Sequence, residues 1–133
     1  MKTIQHKFVE YIPELLEEGI IYVSIKYRTA VHKCICGCGN KVVTPISQTG
    51  WQLTFDGKTI TLYPSIGNWN FECKSHYFIT KNKIRYARKW TEWEIDFNRE
   101  KDSYKKKSLL RNNLSVRLRV GLALAIALVS RWV

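Results

Sequence analysis

The stretch His-Lys-Cys-Ile-Cys-Gly-Cys-Gly, residues 32–39, decides how this chain is expected to fold. Cys34, Cys36 and Cys38 stand at every second position, and an extended backbone places alternate side chains on one face. The glycines beside them allow the backbone to turn tightly enough to bring neighbouring thiolates together. This clustering favours a metal site, although two alternatives stay open: buried small side chains, or a redox couple among the three cysteines.

A second pair of metal-binding side chains, Cys73 and His76, follows with the spacing C-x-x-H. Zinc takes four tetrahedral ligands from thiolate sulfur and imidazole nitrogen, and two short groups joined by a long loop are a common arrangement. Thiolates suit zinc better than magnesium or calcium. The sequence therefore predicts one structural Zn²⁺ with four ligands drawn from five candidates, which are Cys34, Cys36, Cys38, Cys73 and His76.

The remaining pattern predicts a mainly β (α+β) fold, a small zinc-stapled antiparallel sheet with β-hairpins and a C-terminal helix. Ile20 to Tyr27 is typical of a strand, and Trp51 to Tyr63 predicts a hairpin that turns at Asp56-Gly57. Phe71 to Ala87 predicts a second strand pair, joined at Lys81-Asn82. Pro13 is expected to open a short helix that Gly19 ends.

The chain is expected to divide into a zinc-binding β-rich domain over residues 1–90 and a basic helix with an apolar tail over residues 91–133. The tail, Val120 to Val129, is continuously apolar but too short for an ordinary membrane span. It is expected to be a buried or partner-facing helix, or to contact a membrane surface. Acidic residues interrupt any apolar run near the N-terminus, so we expect a cytoplasmic protein rather than a secreted one.

Positive charge is concentrated in the second half of the chain. The 22 Lys and Arg residues exceed the 11 Asp and Glu residues, which gives a net charge of +11. Residues 74–133 carry nearly all of this excess. Such a skew indicates a polyanionic partner, such as nucleic acid, an anionic membrane or an acidic protein, or else a solvated basic helix.

Sequence motifs of the common hydrolases are absent, since the chain has no G-x-S-x-G and no H-E-x-x-H. The segment Pro64 to Trp69 offers a polar cluster, in which Ser65, Asn68 and His76 could meet beside Trp69. Turn chemistry explains Asn68 by itself, and Trp69 can be a core residue. The sequence therefore favours a non-catalytic protein and leaves catalysis open.

Three segments together resemble a bacterial domain family of unknown function: HKCICGCGNKVVTPIS (32–47), GWQLTFDGKTITLYPSIGNWNF (50–71) and CKSHYFI (73–79). Members of that family often occur beside ubiquitin-like, ThiF-like activating, conjugating-enzyme-like and JAB-peptidase-like proteins. The resemblance covers roughly Pro13 to Trp90. It implies a zinc-type cluster at the five candidate ligands and a role in or near a ubiquitin-like modification or defence pathway, but it supplies no reaction.

We therefore expect a structural-zinc accessory module that binds a protein of a ubiquitin-like conjugation system. A nucleic-acid-binding zinc protein is the first alternative, because basic and aromatic residues interleave along the last predicted strands. A zinc-dependent hydrolase or peptidase is the second. The residues expected to contact a partner are Ser65, Asn68, Trp69, Lys83, Arg85 and Arg88.

Overall fold

The computed structural model describes the backbone of residues 1–129 and the side chains of residues 1–122. Two compact units follow one another along the chain, a β-rich unit over Met1–Thr91 and a helical unit that begins at Glu92. The fold is therefore mostly β with a C-terminal helix, as the sequence predicts. Its elements are β1 Lys2–Thr3, β2 Gln5–Phe8, β3 Ile20–Ser24, β4 Thr29–Lys33, β5 Lys41–Pro45, β6 Gln52–Phe55, β7 Ile60–Gly67, β8 His76–Thr80, β9 Lys83–Tyr86 and α1 Glu92–Val129.

One sheet has five antiparallel strands in the order β1-β9-β8-β7-β6. The hairpin of β6 and β7 turns at Asp56 and Gly57, as predicted, with Gly57 at a φ of 90°. The Asp56 carboxylate accepts hydrogen bonds from the backbone N–H of Lys58 at 2.9 Å and from the Thr59 hydroxyl at 2.7 Å. Bonds from Thr59 and Lys58 favour the charged carboxylate and lower the pKa of Asp56 to about 2.

The turn between β8 and β9 also falls where the sequence places it. Lys81 and Asn82 both have positive φ, 48° and 60°. The Asn82 side-chain oxygen accepts a hydrogen bond from the backbone N–H of Ile60 at 2.7 Å, so this turn is tied to the start of β7. Asparagine tolerates the left-handed region better than most residues, which explains its place here.

The other sheet has four strands in the order β2-β3-β4-β5, and its β2 and β3 run parallel. The expectation of a single antiparallel sheet is thus incomplete. The short helix expected after Pro13 is wrong, because residues 9–19 form bends and turns without helix. That segment returns the chain so that β3 can lie parallel to β2, a connection that a hairpin cannot make.

Both sheets contribute to one buried core. Tyr77 and Ile79 of β8 are fully buried, as are Ile21 and Val23 of β3. Alternate residues of a strand face opposite sides of its sheet. One face of each sheet therefore packs on the same apolar core. The core cluster consists of Ile4, Ile21, Val23, Ala30, Cys34, Ile35, Val42, Ile60, Leu62, Ile66, Tyr77, Ile79 and Ile84.

The helical unit consists of α1, and the predicted change to helix near Thr91 is confirmed. Within it, Trp93 and Phe97 stack with ring centroids 5.5 Å apart, as residues four apart on a helix can. Among the described residues, no helix combines the length and the apolar character that crossing a membrane requires. The tail predicted to contact a membrane, Val120 to Val129, has side chains that lie mostly outside the described residues.

Candidate metal centre and serine–histidine pair

The sulfur atoms of all four cysteines lie close together. Their Sγ atoms are all within 4.8 Å of one another. The separations are 3.4 Å between Cys34 and Cys36, 3.9 Å between Cys34 and Cys73, and 3.8 Å between Cys38 and Cys73. Zinc–sulfur bonds of about 2.3 Å in a tetrahedron separate the sulfurs by about 3.8 Å. The four thiols therefore fit a tetrahedral metal ion, and this cluster can hold one.

Two loops bring these sulfurs together. Cys34 directly follows β4, and its backbone N–H donates to the carbonyl of Asn40 at 2.8 Å, which closes the turn that carries Cys36 and Cys38. Gly37 has a φ of 89° within that turn. Cys73 lies in the loop over residues 68–75, which joins β7 to β8 and which we call the bridging loop. The two short groups that the sequence predicts to share one metal ion thus bring their cysteine sulfurs together.

The sulfurs differ in how readily they become thiolates, because hydrogen bonds lower the pKa of Cys38 whereas burial raises the pKa of Cys36 to about 12. The side-chain amide of Asn40 donates to Cys38 Sγ at 3.3 Å, and the backbone N–H of Cys38 donates to Cys36 Sγ at 3.4 Å. A hydrogen bond from the backbone of Asn40 contributes most to lowering the pKa of Cys38 to about 7. Burial raises the pKa of the Cys34 thiol. All four cysteines are free thiols, so none is lost to a disulfide.

The fifth candidate ligand, His76, lies outside the group of mutually close sulfurs. Its Nε2 is 2.8 Å from Oγ of Ser65, and its Nδ1 is 2.9 Å from the backbone carbonyl of Arg88. A carbonyl oxygen can only accept, so Nδ1 carries the proton and Nε2 of the neutral ring is left to accept from the Ser65 hydroxyl. The ring is thereby oriented as a base toward serine.

Strand register produces this serine–histidine pair. His76 opens β8 opposite Gly67 of β7, and the pairing of these strands shifts register between Leu62 and Ile66. Ser65 falls inside that irregular segment, where its side chain reaches His76. Ser65 is half-buried and His76 is only 6% exposed, so the hydroxyl is the more accessible part of the pair.

Two tryptophans contact the imidazole of His76. The rings of Trp69 and Trp90 meet it edge to face with centroids 5.0 and 5.1 Å away, and they stack on each other at 5.2 Å. A Cβ at Gly67 would lie 2.5 Å from the Trp69 indole, so only glycine permits this close approach. These two aromatic contacts limit rotation of the histidine ring. Trp69 therefore packs against the histidine of the pair, and its contact with a partner stays a prediction.

The side chain of Asn68 lies toward the thiol cluster, whereas that of Ser65 lies toward His76. Its side-chain amide donates to the Ser75 hydroxyl at 2.9 Å and to the Tyr77 hydroxyl at 3.4 Å, and it lies 3.7 Å from Cys34 Sγ. Ser75 in turn lies 3.1 Å from Cys34 Sγ. Of the predicted polar cluster, Ser65 and His76 meet, whereas Asn68 belongs to the surroundings of the sulfurs. Sequence reasoning missed Ser75, whose only signal is its place between Cys73 and His76.

The three basic residues expected to contact a partner have different surroundings. Lys83 and Arg85 are exposed on β9, and the guanidinium of Arg85 lies 4.2 Å from the ring centroid of Phe78. Arg88 contributes its backbone carbonyl to His76, while its Nη1 donates to the carbonyl of Lys89 at 3.4 Å. A nucleic-acid partner, membrane contact by the tail and a cytoplasmic location stay predictions.

Comparison with known protein families places the chain among the components of one bacterial pathway. Residues 8–87 match the model of a family described as BubE, bacterial ubiquitination-like system serine protease. This match covers more than half of the chain, so the chain belongs to the BubE family. Neither the curated proteins nor the solved structures contain a significant match. The link to a ubiquitin-like system that the resemblance implied is thereby confirmed.

Proposed function

We propose that this protein is a serine peptidase of a bacterial ubiquitination-like system, with Ser65 as nucleophile and His76 as general base. The observation that carries the proposal is the 2.8 Å contact between Ser65 Oγ and His76 Nε2, with Nδ1 of the same ring held by the Arg88 carbonyl. A nucleophile, a base and a group that orients the base form the usual arrangement of acyl-transfer enzymes. The description of the family as a serine protease supports the same reaction.

The pair performs the reaction in two steps. Oγ of Ser65 attacks the scissile carbonyl carbon while its proton passes to Nε2 of His76, and the imidazolium then protonates the leaving amine as the peptide C–N bond breaks. A water molecule next gives its proton to Nε2 and attacks the acyl-serine ester. Release of the carboxylic acid product returns Ser65 to its hydroxyl form.

The orienting group of His76 is a backbone carbonyl rather than a carboxylate. A carbonyl dipole fixes the same tautomer, although it stabilises the positive imidazolium less than a full negative charge does. In addition to the carbonyl, the edge-to-face contacts with Trp69 and Trp90 hold the His76 ring in place. Because the orienting group belongs to the backbone, a substitution of the Arg88 side chain does not remove it.

The thiol cluster serves this peptidase as a structural zinc site. Four thiolates complete the tetrahedron of zinc, whereas a catalytic zinc usually keeps three protein ligands and one open position for water. Cys34, Cys36, Cys38 and Cys73 are the four ligands of this proposal, without His76. This assignment favours serine chemistry over the zinc-hydrolase alternative, because a zinc ion with four sulfur ligands leaves no position for an activated water.

The substrate of the peptidase is a protein of the same modification system, either the ubiquitin-like protein or one of its conjugates. The family description supports this choice, since it names a serine protease within a ubiquitination-like system. The sequence led us to expect a non-catalytic accessory module. The peptidase role replaces that expectation but keeps the expected partner, a protein of the ubiquitin-like conjugation system.

Covalent labelling tests the proposal directly. The full-length protein is incubated with a fluorophosphonate probe, and intact mass and peptide mapping identify the modified residue. We expect one adduct, at Ser65, and loss of the adduct in Ser65→Ala and in His76→Gln. Ser47→Ala is the matched control, since Ser47 is an exposed serine outside the pair and its loss should leave labelling unchanged. Absence of an adduct in the wild type, or undiminished labelling of Ser65→Ala, would overturn the proposal.

A further inference from the structure

The surface beside the serine–histidine pair carries an aromatic ring and a cation. Tyr77 and Ile79 of β8 are buried in the core, so the alternation of the strand puts His76 and Phe78 on its other face. Phe78 pairs in register with Arg85 of the neighbouring strand β9. The rings of His76 and Phe78 have centroids 6.1 Å apart, so this surface is continuous with the pair.

Arg85 is held in place on this surface while its charge stays unneutralised. Its guanidinium lies over the Phe78 ring at 4.2 Å from the centroid, a distance typical of a cation–π contact. Among the described residues, no carboxylate lies within ion-pair distance of it. Three ion pairs of the β-rich unit, Glu17–Lys7, Glu10–Lys26 and Glu18–Lys33, involve acidic residues of the segment before β3.

We propose that Arg85, stacked on Phe78, is a specificity-determining residue that binds an acidic side chain of the substrate. The inference rests on the proposed peptidase function and names the substrate class, a segment with an aspartate or glutamate near the scissile bond. A guanidinium that is exposed, positioned by an aromatic ring and free of internal carboxylates is suited to bidentate binding of a carboxylate.

Distances define which substrate position Arg85 reaches. The guanidinium carbon can be no farther from the His76 ring centroid than about 10 Å, the limit set by the two contacts through Phe78. An extended peptide advances about 3.3 Å per residue. The acidic side chain therefore belongs to a residue within about three positions of the bond that Ser65 attacks.

Peptide cleavage by the full-length protein tests the inference. The wild type, Ser65→Ala, Arg85→Gln and Arg85→Glu are incubated with a peptide library made by digesting denatured proteins, and mass spectrometry identifies the cut sites. We expect Asp or Glu to be enriched within three residues of the cut in the wild type, and this enrichment to vanish in Arg85→Gln. Lys58→Gln is the matched control, because it removes an exposed cation at the distant β6–β7 turn and should leave the enrichment unchanged.

Paired synthetic peptides then measure the size of the effect. We expect Arg85→Gln to lower kcat/KM about tenfold to a hundredfold for an acidic peptide, mainly through KM, and to leave an otherwise identical peptide with Gln at that position unaffected. Arg85→Glu should prefer a peptide with Lys there. A merely structural role of Arg85 would lower cleavage of all these peptides equally.

Failure of this inference can be distinguished from failure of the peptidase proposal. If the wild type is labelled at Ser65 and cleaves peptides without acidic enrichment, or if Arg85→Glu keeps the acidic preference, the role of Arg85 is overturned and the peptidase stands. If the wild type cleaves no peptide and takes no fluorophosphonate, both are overturned.

Discussion

The thiol cluster and the serine–histidine pair are neighbouring sites that are held together in different ways. The cluster joins side chains 39 residues apart in the chain, Cys34 and Cys73, through sulfur atoms that a metal ion can bridge. The pair joins Ser65 and His76 across two adjacent strands, through hydrogen bonds and ring contacts alone. We therefore expect loss of the cluster to destabilise the whole β-rich unit, pair included, whereas loss of the pair should leave the fold and the cluster intact.

The bridging loop connects the two sites. Its first residue, Asn68, follows β7, and its last, Ser75, precedes His76. The backbone N–H of Asn68 donates to the carbonyl of Ser75 at 2.9 Å, and their side chains also bond to each other. Because the same loop carries Cys73, a metal ion on the sulfurs would fix the ends of the strands that hold the pair.

Removal of the metal should have the largest effect on the molecule. Chelation of the purified protein, or Cys73→Ser, should unfold the β-rich unit, since a structural zinc contributes folding free energy on the order of 10 kcal/mol. Elemental analysis before and after chelation, with thermal melting followed by circular dichroism, measures the effect. Ser65→Ala is the control and should keep both metal and melting temperature. A melting curve that chelation leaves unchanged would contradict the assigned role of the cluster.

Loss of the nucleophile should abolish peptide cleavage and leave the fold and the metal content intact. Ser65→Ala should reduce peptide cleavage about 10⁴-fold or more, because the nucleophile is removed while the buried core is untouched. The double variant Ser65→Ala/His76→Ala should be no less active than Ser65→Ala, since the two residues act as a unit. Cleavage rates and metal content are measured on the same preparations. Substantial cleavage by Ser65→Ala would show that the pair is not the catalytic site.

Asn68→Ala should affect both sites and thereby test the connection between them. The substitution removes the donor to the Ser75 and Tyr77 hydroxyls in a region where Asn68 is only 9% exposed, so we expect a loss of about 1–3 kcal/mol in the free energy of unfolding. Denaturant unfolding and peptide cleavage are compared with those of the control Glu72→Gln, at an exposed position of the same loop. Unchanged stability and activity in Asn68→Ala would show that the two sites are not coupled through Asn68.

The smallest effect is expected far from both sites, at the β6–β7 turn. Asp56→Ala should lower the melting temperature less than Asn68→Ala does, and should leave cleavage and metal content unchanged. The pKa of Asp56 is lowered to about 2, so its charged form adds stability above the ordinary pKa near 4, and that contribution is lost as the pH falls toward 2. The difference in melting temperature between wild type and variant should therefore be constant from pH 6 to pH 8. A difference that changes across this range would show that another group titrates there.

Local chemistry made a large part of the fold predictable. Asp56-Gly57 and Lys81-Asn82 specify their turns because their side chains and φ preferences act within a few residues. The change from alternating to charged residues near Thr91 predicted the helix in the same way. The second sheet and the parallel pairing of β2 with β3 were not predictable, since they depend on contacts between strands that the residues 9–19 separate.

The sequence by itself indicated that the closely spaced cysteines of residues 34–38 and the distant Cys73/His76 pair share one metal site, and it left open which four of the five candidates are the ligands. Only the tertiary structure decided that His76 lies with Ser65 and the Arg88 carbonyl rather than with the sulfurs. The physical reason is strand register: the shift between Leu62 and Ile66 decides which side chain of β7 lies opposite His76. That register follows from the packing of both sheets on one core, which no short segment of the chain encodes.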